Sequence, residues 1–540
     1  MPTVPSSTSG FAPRAEPPAA ELAGVARAAS IIAAGNIVSR VLGLARDIAK
    51  SYFFGATGLV SAFNIAAKVP MWFYDLLAGG MVSAALVPVF STYARREKRA
   101  ELWLIASFLL TLCVTLLTPL VLLGELFAHQ IAWLVSGGMS PEMLDLTASL
   151  LRLTLPAMLF LNFAGILAGL LYSLKRFTLA AFNAAIFNLG IVAVTLLFAQ
   201  RFGVRAMAAG LLTGAVLQVL VQLPGLRETQ LRPILDWRHP ALRRIARLYF
   251  PIVLGLVVDM ISRAISYRLA STTGDQSIAW MDYATTLVQF PLGLTSTAIS
   301  VAILPTLARQ ASGWSVPEDR RDFLATLAHG LRLVLVLIIP ATVGLFVLAR
   351  PVVTLIFEHG DFLTADTVMT TMVLRLYLLG IIAAAIDLPL INAFYARQDA
   401  WTPAVVGLAG VFIYLAAALA PSFFRPMQLN DLIIANAFQL SFHALTMWIL
   451  LHRRIGSLRG QRLGYTISRA VLASGAMAML TMATLWGVGR INWPGLLPGE
   501  IAAVVLPGAI GVASYLALMN VMKVPELELT MQLIRRRNPL

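Results

Sequence analysis

Ionisable residues inside long apolar runs are the first candidates for chemistry in this sequence. The run that begins near residue 27 contains Arg40, Arg46 and Asp47, and a later run contains Asp387 as an isolated acid. A charge in a membrane-spanning helix is costly and usually faces a cavity or a partner, so each one predicts a site. An arginine in a low-dielectric cavity suits phosphate or pyrophosphate, because its fork binds such groups in a bidentate manner.

The spacing along the first run leaves two interpretations open. Arg40, Gly43 and Asp47 lie near one face of a helix, whereas Arg46 lies over a different part of the cylinder. In a purely structural interpretation Asp47 pairs with a neighbouring arginine, while Arg46 and Lys50 extend their charges to the membrane interface. Arg40 lies near the middle of the run, which favours a ligand contact.

Other runs complete the candidate set. Lys68 lies four residues from Asn64 on the same helical face, and Asp259 lies four residues from Arg263, so an internal ion pair competes with substrate contact there. Asp387 would bind a coupling cation or proton, or form a hydrogen bond to a facing helix. The candidate substrate-binding residues are Arg40, Arg46, Asn64, Lys68, Arg263 and Arg268, and the candidate charge partners or coupling residues are Asp47, Asp75, Asp259, Asp282 and Asp387.

The sequence contains no pattern typical of an enzyme or a metal site. It has no glycine-rich phosphate loop, so we do not expect ATP to drive the protein directly. Glu358, His359 and Asp361 fit a polar loop better than a metal site, and the single Cys113 excludes a disulfide framework. We therefore expect no catalytic residue, no metal and no cofactor, with a coupling cation left open.

Membrane-spanning helices must position these residues. Hydrophobic residues make up 59% of the 540 residues and charged residues only 12%, against about a quarter in a typical soluble chain. Apolar runs of about 20 residues cross a bilayer as helices. The runs lie at 27–54, 59–92, 102–126, 146–173, 178–200, 204–224, 246–272, 277–308, 325–349, 364–395, 400–422, 429–452, 466–488 and 498–522. The predicted fold is an all-α integral membrane protein of about fourteen transmembrane helices.

Lysine and arginine positions predict the orientation. They concentrate in alternate loops and near the C-terminus, and the positive-inside rule then places both termini in the cytoplasm. The opposite loops hold only Arg201, Arg205, Arg350, Arg425 and Arg490. This distribution accounts for the net charge of +15 without nucleic acid as a partner.

An internal repeat predicts two pseudo-symmetric six-helix lobes followed by two C-terminal helices. Residues 37–40 (Ile-Val-Ser-Arg) pair with 260–263 (Met-Ile-Ser-Arg), 68–70 (Lys-Val-Pro) with 289–291 (Gln-Phe-Pro), and 85–88 (Ala-Leu-Val-Pro) with 302–305 (Ala-Ile-Leu-Pro). A substrate site between two such lobes is a common transporter plan. The predicted organisation is a disordered cytoplasmic tail (1–26), an N-lobe (27–225), a cytoplasmic linker (226–245), a C-lobe (246–452), two additional helices (466–522) and a cytoplasmic C-terminal tail (523–540).

Several motifs resemble the bacterial MurJ/MviN family of lipid II flippases, part of the multidrug/oligosaccharidyl-lipid/polysaccharide exporter superfamily. The motifs are residues 39–47, 355–362, 393–399 with the following Thr402-Pro403, and more weakly 187–190 and 218–224. The resemblance implies a cationic central cavity that holds a pyrophosphate, and a groove by the last two helices for a polyprenyl tail. The family's first-helix arginines correspond to Arg40 and Arg46, and its second-helix lysine to Lys68.

Some functional positions depart from the family pattern. Ser61, Tyr74, Asp75 and Thr286 stand where the family usually has an aspartate or arginines, and Ser266 stands where some members have a residue linked to sodium binding. Our hypothesis is that Arg263 and Arg268 replace part of the lost positive charge by approaching the cavity from another helix.

The resemblance implies a non-enzymatic flippase that moves a polyprenyl-pyrophosphate-linked saccharide, with lipid II as the leading candidate, to the outer leaflet of the bacterial plasma (inner) membrane. Alternating access would be driven by the membrane potential or an ion gradient. Expected partners are the lipid-linked substrate, membrane lipid and cell-wall synthesis proteins, and the chain is expected to be a monomer. The alternatives are an exporter of another lipid-linked glycan or an amphipathic small molecule, a non-transporting scaffold for envelope synthesis, and a membrane-embedded transferase.

Overall fold

The computed structural model describes residues 19–526, with gaps at 80, 228, 236–239, 457, 459 and 492, and these residues form helices and no strands. Ten helices in these ranges are long and apolar enough to cross a membrane, or eleven if one bent pair forms a single span. The all-α membrane architecture is therefore confirmed. The count of fourteen spans stays a prediction.

The described residues of the first half form ten α-helices. Their bounds are α1 (Ala19–Phe54), α2 (Gly58–Tyr74), α3 (Val87–Tyr93), α4 (Arg99–Leu126), α5 (Ala128–Ser136), α6 (Pro141–Thr154), α7 (Ala157–Ser173), α8 (Phe177–Ala181), α9 (Asn183–Phe202) and α10 (Arg205–Gln222). Helix α9 packs between α1 and α10, while α2 packs on α6 and α4 on α7.

In the second half, the described residues form another ten α-helices. Their bounds are α11 (Pro240–Ser271), α12 (Ser277–Leu292), α13 (Ala298–Ser312), α14 (Pro317–Val347), α15 (Ala349–Phe357), α16 (Thr364–Ala396), α17 (Trp401–Leu419), α18 (Leu429–Ile455), α19 (Leu463–Val488) and α20 (Leu496–Val521). Helix α16 packs against α12, α14 and α18, and α17 packs on α18. Helices α19 and α20 pack on each other, and α19 also packs on α14.

The two halves share one irregularity. After Pro70 the helix continues through π-helical turns at Asp75–Gly79 and Val82–Leu86 before α3. After Pro291, the proline paired with it in the repeat, a π-helical turn at Gly293–Thr297 leads into α13. A proline removes a backbone donor and interrupts the ladder of hydrogen bonds, so an irregular segment at these positions follows from the sequence.

At one end of the molecule the two halves are held together, and we call this end the sealed face. The Tyr283 hydroxyl donates to the Gly55 carbonyl at 2.8 Å, and the Asp361 amide donates to the Tyr52 carbonyl at 2.9 Å. The Ser140 hydroxyl donates to a carboxylate oxygen of Asp275 at 2.7 Å. The opposite end, here the basic face, carries basic residues at helix ends and in loops, among them Arg95, Arg397, Arg453 and Arg454.

Three predicted boundaries need correction. Residues 19–26, assigned to a disordered tail, continue α1, because the alanine-rich sequence has high helix propensity. Residues 240–245, assigned to a linker, open α11 with a proline at its first position. Residues 523–526 belong to the structured part of the chain, since the Glu526 carboxylate pairs with Arg332 of α14 at 2.5 Å. Predicted tail residues 1–18 and 527–540 lie outside the described residues.

Candidate functional site

A group of charged side chains lies where the two halves meet, and we call it the central cluster: Arg46, Asp47 and Lys50 of α1, Lys68 of α2 and Asp282 of α12. The Lys50 Nζ lies 2.6 Å from the Asp282 carboxylate and 3.2 Å from the Asp47 carboxylate. The Lys50 and Asp47 side chains are each only 2% exposed. Since an unpaired buried charge is very costly, two carboxylates from opposite halves hold the lysine in place.

The cations at the edge of the cluster are more accessible. The Arg46 guanidinium, 27% exposed, lies 3.1 Å from Asp47 and donates to the Asn188 amide oxygen at 3.2 Å. The Lys68 ammonium, 37% exposed, lies 3.9 Å from Asp282. Because three cations face two carboxylates, the central cluster carries an excess positive charge, and that excess lies on its exposed side.

Neutral groups complete the cluster. The Thr286 hydroxyl donates to Asp47 at 3.1 Å, and the Asn64 amide oxygen accepts from Lys50 at 3.4 Å. The Lys50 Nζ also lies 4.7 Å from the centroid of the Tyr283 ring, a cation–π contact. Thr286 therefore supports an anion at the position where the resemblance leads us to expect an arginine, and Asn64 contacts a lysine of the protein itself.

Arg40 lies in a separate pocket toward the basic face. Arg40, Asn36, Ser39, Gln289 and Gly293 help to line this Arg40 pocket, a cavity of about 540 Å³ between α1 and α12. The guanidinium packs over Gly293, where an added methyl group would lie 2.4 Å from one of its nitrogens. The described lining contains no acidic residue. The positive charge of Arg40 is therefore not compensated within the pocket.

Arg263 forms the ion pair that its spacing predicts. Its guanidinium lies 2.8 Å from the Asp259 carboxylate, and both side chains are more than half exposed. Asp75 lies within electrostatic reach of Arg263, Asp259 and Lys68. These four residues therefore face the space between α2 and α11, beside the central cluster.

The structure does not bring Arg268 to the central cluster. The guanidinium lies 4.9 Å from the centroid of the Trp133 ring of α5 and packs against Gly137 at the sealed face. Arg268 follows Arg263 by five residues, which rotates it by roughly 140° around the helix. The two arginines therefore point toward different parts of the molecule.

Two other polar sites have local partners. Asp387 contacts His443 of α18 and lies away from the central cluster. The Glu358 carboxylate accepts hydrogen bonds from Thr354, Thr364 and Thr367 at 2.6 to 2.8 Å. Glu358 thereby joins α15 to α16, as a polar loop would. Across the part of the chain that the structure describes, no three His, Cys, Asp or Glu side chains gather closely enough to bind a metal.

Sequence reasoning missed the role of Lys50. Its position near the end of the first apolar run favoured a side chain that reaches the membrane interface, yet it is the most buried cation of the cluster. The available signal was its spacing of three residues from Asp47, which places both on one helical face. Its second partner, Asp282, is 232 residues away, and no local pattern predicts that contact.

Comparison with known proteins identifies the family. The sequence profile of "Lipid II flippase MurJ" matches residues 50–496. The chain belongs to the MurJ lipid II flippase family. The probable lipid II flippase MurJ of Haemophilus influenzae is 30% identical over 429 residues, which cover 76% of this chain and 83% of the relative. The probable MurJ of Vibrio cholerae is 29% identical over 512 residues, which cover 91% and 94%.

Solved structures agree with this family assignment at the level of fold. A lipid II flippase MurJ in an inward closed conformation matches with a TM-score of 0.74 and 22% identity, covering 91% of this chain and 98% of that one. An inward-facing multidrug resistance MATE family transporter matches with a TM-score of 0.66 and 14% identity, covering 78% and 96%. The MurJ-family chain is thus a multi-pass membrane protein with a transporter fold.

Proposed function

We propose that this protein flips a polyprenyl-pyrophosphate-linked saccharide from the inner to the outer leaflet of the bacterial inner membrane. Lipid II is the leading candidate for this cargo. The observation that carries the proposal is the uncompensated charge of Arg40 in a cavity between the two halves. A bilayer-embedded cation without a carboxylate partner is costly, and an anionic ligand would offset that cost.

The arrangement suits a pyrophosphate headgroup. Arg40 offers a guanidinium fork that binds two phosphate oxygens at once. Arg46 and Lys68 present the exposed positive side of the central cluster. A pyrophosphate that reached them would compete with Asp282 for Lys50 and Lys68, and so would loosen the contacts that hold α1 to α12. Cargo binding would then favour rearrangement of the two halves.

The direction of transport follows from the two ends of the molecule. By the positive-inside rule, the basic residues favour a cytoplasmic position for the basic face and for both termini. Because the sealed face is closed, the Arg40 pocket would take cargo from the cytoplasmic leaflet. No covalent step is needed, and a membrane potential or ion gradient would supply the energy. Cell-wall synthesis enzymes that use the cargo on the outer side are the expected partners.

Complementation of a conditional lipid II flippase mutant tests the proposal. The wild-type chain should restore growth, Arg40→Ala should abolish the rescue, and Arg40→Lys should restore it partly, because a lysine keeps the charge but loses the bidentate geometry. Arg205→Ala is the matched control, since Arg205 is an exposed arginine at the start of α10. Failure of a well-expressed wild-type chain would favour a different lipid-linked cargo, and rescue by Arg40→Ala would remove the pyrophosphate contact.

A further inference from the structure

A second ionisable pair lies within the C-terminal half, apart from the central cluster. The His443 Nδ1 of α18 lies 2.9 Å from one carboxylate oxygen of Asp387 on α16 and 2.8 Å from the other. The two side chains are 14% and 15% exposed. Ionisable groups inside membrane helices are retained at a cost and often mark ion or proton pathways.

The other ring nitrogen of His443 faces a third helix. An added methyl group at Gly407 of α17 would lie 3.8 Å from the His443 Nε2, and the backbone of Pro403, one turn earlier on α17, also acts on the imidazole. A proline backbone has no N–H, so its carbonyl must be the acceptor. Nδ1 therefore faces a carboxyl group and Nε2 faces α17. One proton held between Asp387 and His443, on either residue, completes the hydrogen bond that joins them.

Few other charges act on this pair. Tyr395 of α16 lies within electrostatic reach of Asp387. Among the described residues, the charged group that interacts electrostatically with His443 is Asp387 itself. Helix α17 contributes the Pro403 carbonyl, and α18 places the neutral Gln439 against Gly410 one turn away from His443. On α14, which packs against α16, the charge of Arg332 is engaged by Glu526.

We propose that Asp387 and His443 form a proton-binding site, reached from the basic face, that couples proton movement to transport. Asp387 precedes the end of α16 by nine residues, a depth of about 13 Å along the helix. The coupling part of this inference rests on the proposed flippase function, whereas proton binding at the pair does not.

Proton binding at this pair changes how three helices are joined. With the proton bound, the hydrogen bond between His443 and Asp387 joins α18 to α16, the second ring nitrogen faces the Pro403 backbone of α17, and the pair has no net charge. When the proton leaves to water, one N–H is lost, and a nitrogen lone pair faces an acceptor on one of the two helices. The site then also carries an uncompensated carboxylate inside the bilayer. Protonation would therefore fasten α18 to its neighbours, and deprotonation would release one contact.

Histidine NMR of the full-length protein in lipid nanodiscs tests proton binding independently of transport. The chain has six histidines, and the resonance lost in His443→Gln identifies the relevant one. In Asp387→Asn its titration midpoint should fall by at least one pH unit, a tenfold loss of proton affinity. His129→Gln is the control, because His129 pairs with Asp145 in an exposed position. An unchanged His443 midpoint in Asp387→Asn would overturn the site.

Reconstitution tests the coupling. Flipping of fluorescent lipid II in vesicles would be measured at zero membrane potential, with and without a pH difference across the bilayer. In the wild type and in His129→Gln, the pH difference should change the flipping rate by about fivefold or more. In Asp387→Asn and His443→Gln, the flipping rate should be the same with and without the pH difference. The coupling would be overturned if the pH difference had no effect on the wild-type flipping rate, or if it changed the rate of the two variants as much as that of the wild type. Absence of flipping by the wild type would count against the proposed function, and the NMR titration would still decide proton binding.

Discussion

The central cluster and the Arg40 pocket both join α1 to α12, yet they treat charge in opposite ways. In the cluster, Lys50 is buried between two carboxylates at 2.6 and 3.2 Å. In the pocket, Arg40 faces a cavity whose described lining holds no acid. Positive charge on the same helix is thus compensated by the protein in the cluster, and in the pocket it is available to the ligand that the proposed function requires.

This difference separates two roles that the sequence alone does not distinguish. Removing the cation between two buried carboxylates should weaken the fold, because Asp282 loses its nearest cation and Asp47 one of its two in a low-dielectric site. Removing a cation that has no protein partner should weaken ligand binding and leave the fold intact. Variants of the two sites and of the sealed face test this division, and Lys50→Met has the largest expected effect.

Lys50→Met should lower the free energy of unfolding by about 3–5 kcal/mol, because it leaves Asp47 and Asp282 facing each other. SDS-induced unfolding of the purified protein measures the change. Lys68→Met is the matched control, since Lys68 is more exposed and lies 3.9 Å from Asp282, and it should cost about 1 kcal/mol or less. Equal losses in the two variants would contradict the assignment of Lys50 as the central cation.

Arg40→Ala should weaken binding of lipid II about 10- to 150-fold, the equivalent of losing about 1.5–3 kcal/mol of hydrogen bonds to a charged group. Its free energy of unfolding should stay within about 0.5 kcal/mol of the wild type. Thermophoresis in detergent measures the affinity. If this variant unfolds as readily as Lys50→Met, the division between the two sites fails.

Gly360→Ala tests the sealed face that lies beyond the cluster. Gly360 has a φ of +64°, and an added methyl group would lie 2.2 Å from the Tyr52 carbonyl oxygen. Gly203→Ala is the matched control, because Gly203 has a φ of +57° with nothing within 4 Å of an added methyl group. The first variant should be less stable than the second by about 1–3 kcal/mol. Similar thermal unfolding of the two would show that the loop moves freely.

Arg268→Ala should have the smallest effect. It removes the contact with the Trp133 ring, worth about 0.5–1 kcal/mol, and should leave lipid II affinity unchanged because the residue lies at the sealed face. Unfolding and binding measurements on the same preparation check both statements. A loss of affinity as large as that of Arg40→Ala would mean that Arg268 reaches the cargo in another conformation.

Much of this architecture was predictable from the sequence. Long apolar runs indicated the helices, and the paired Pro70 and Pro291 segments indicated a repeat in which a π-helical turn follows each proline. The ion pair of Asp259 with Arg263 follows from local helical geometry. These features depend on residues close together in the chain, where helical periodicity is a sufficient guide.

Contacts between the halves were not predictable in the same way. Whether Lys50 meets Asp282, or Arg268 meets Trp133, depends on how each helix is rotated about its axis and how the halves are docked. Apolar periodicity is weak in helices surrounded by lipid and protein, so it does not determine that rotation. Asp387 is an example. The sequence allowed either a cation or proton site or a hydrogen bond to a facing helix, and it did not indicate His443 as the partner.

The paired prolines have a mechanical consequence. Pro88 follows Pro70 by 18 residues, whereas Pro305 follows Pro291 by 14. Four additional residues amount to about one helical turn, or roughly 6 Å of length, and the longer segment contains two π-helical turns against one. The helical segment between the two prolines is therefore longer in the first half than in the second. An equal tilt at Pro70 and Pro291 would displace the far ends of the two segments by different distances.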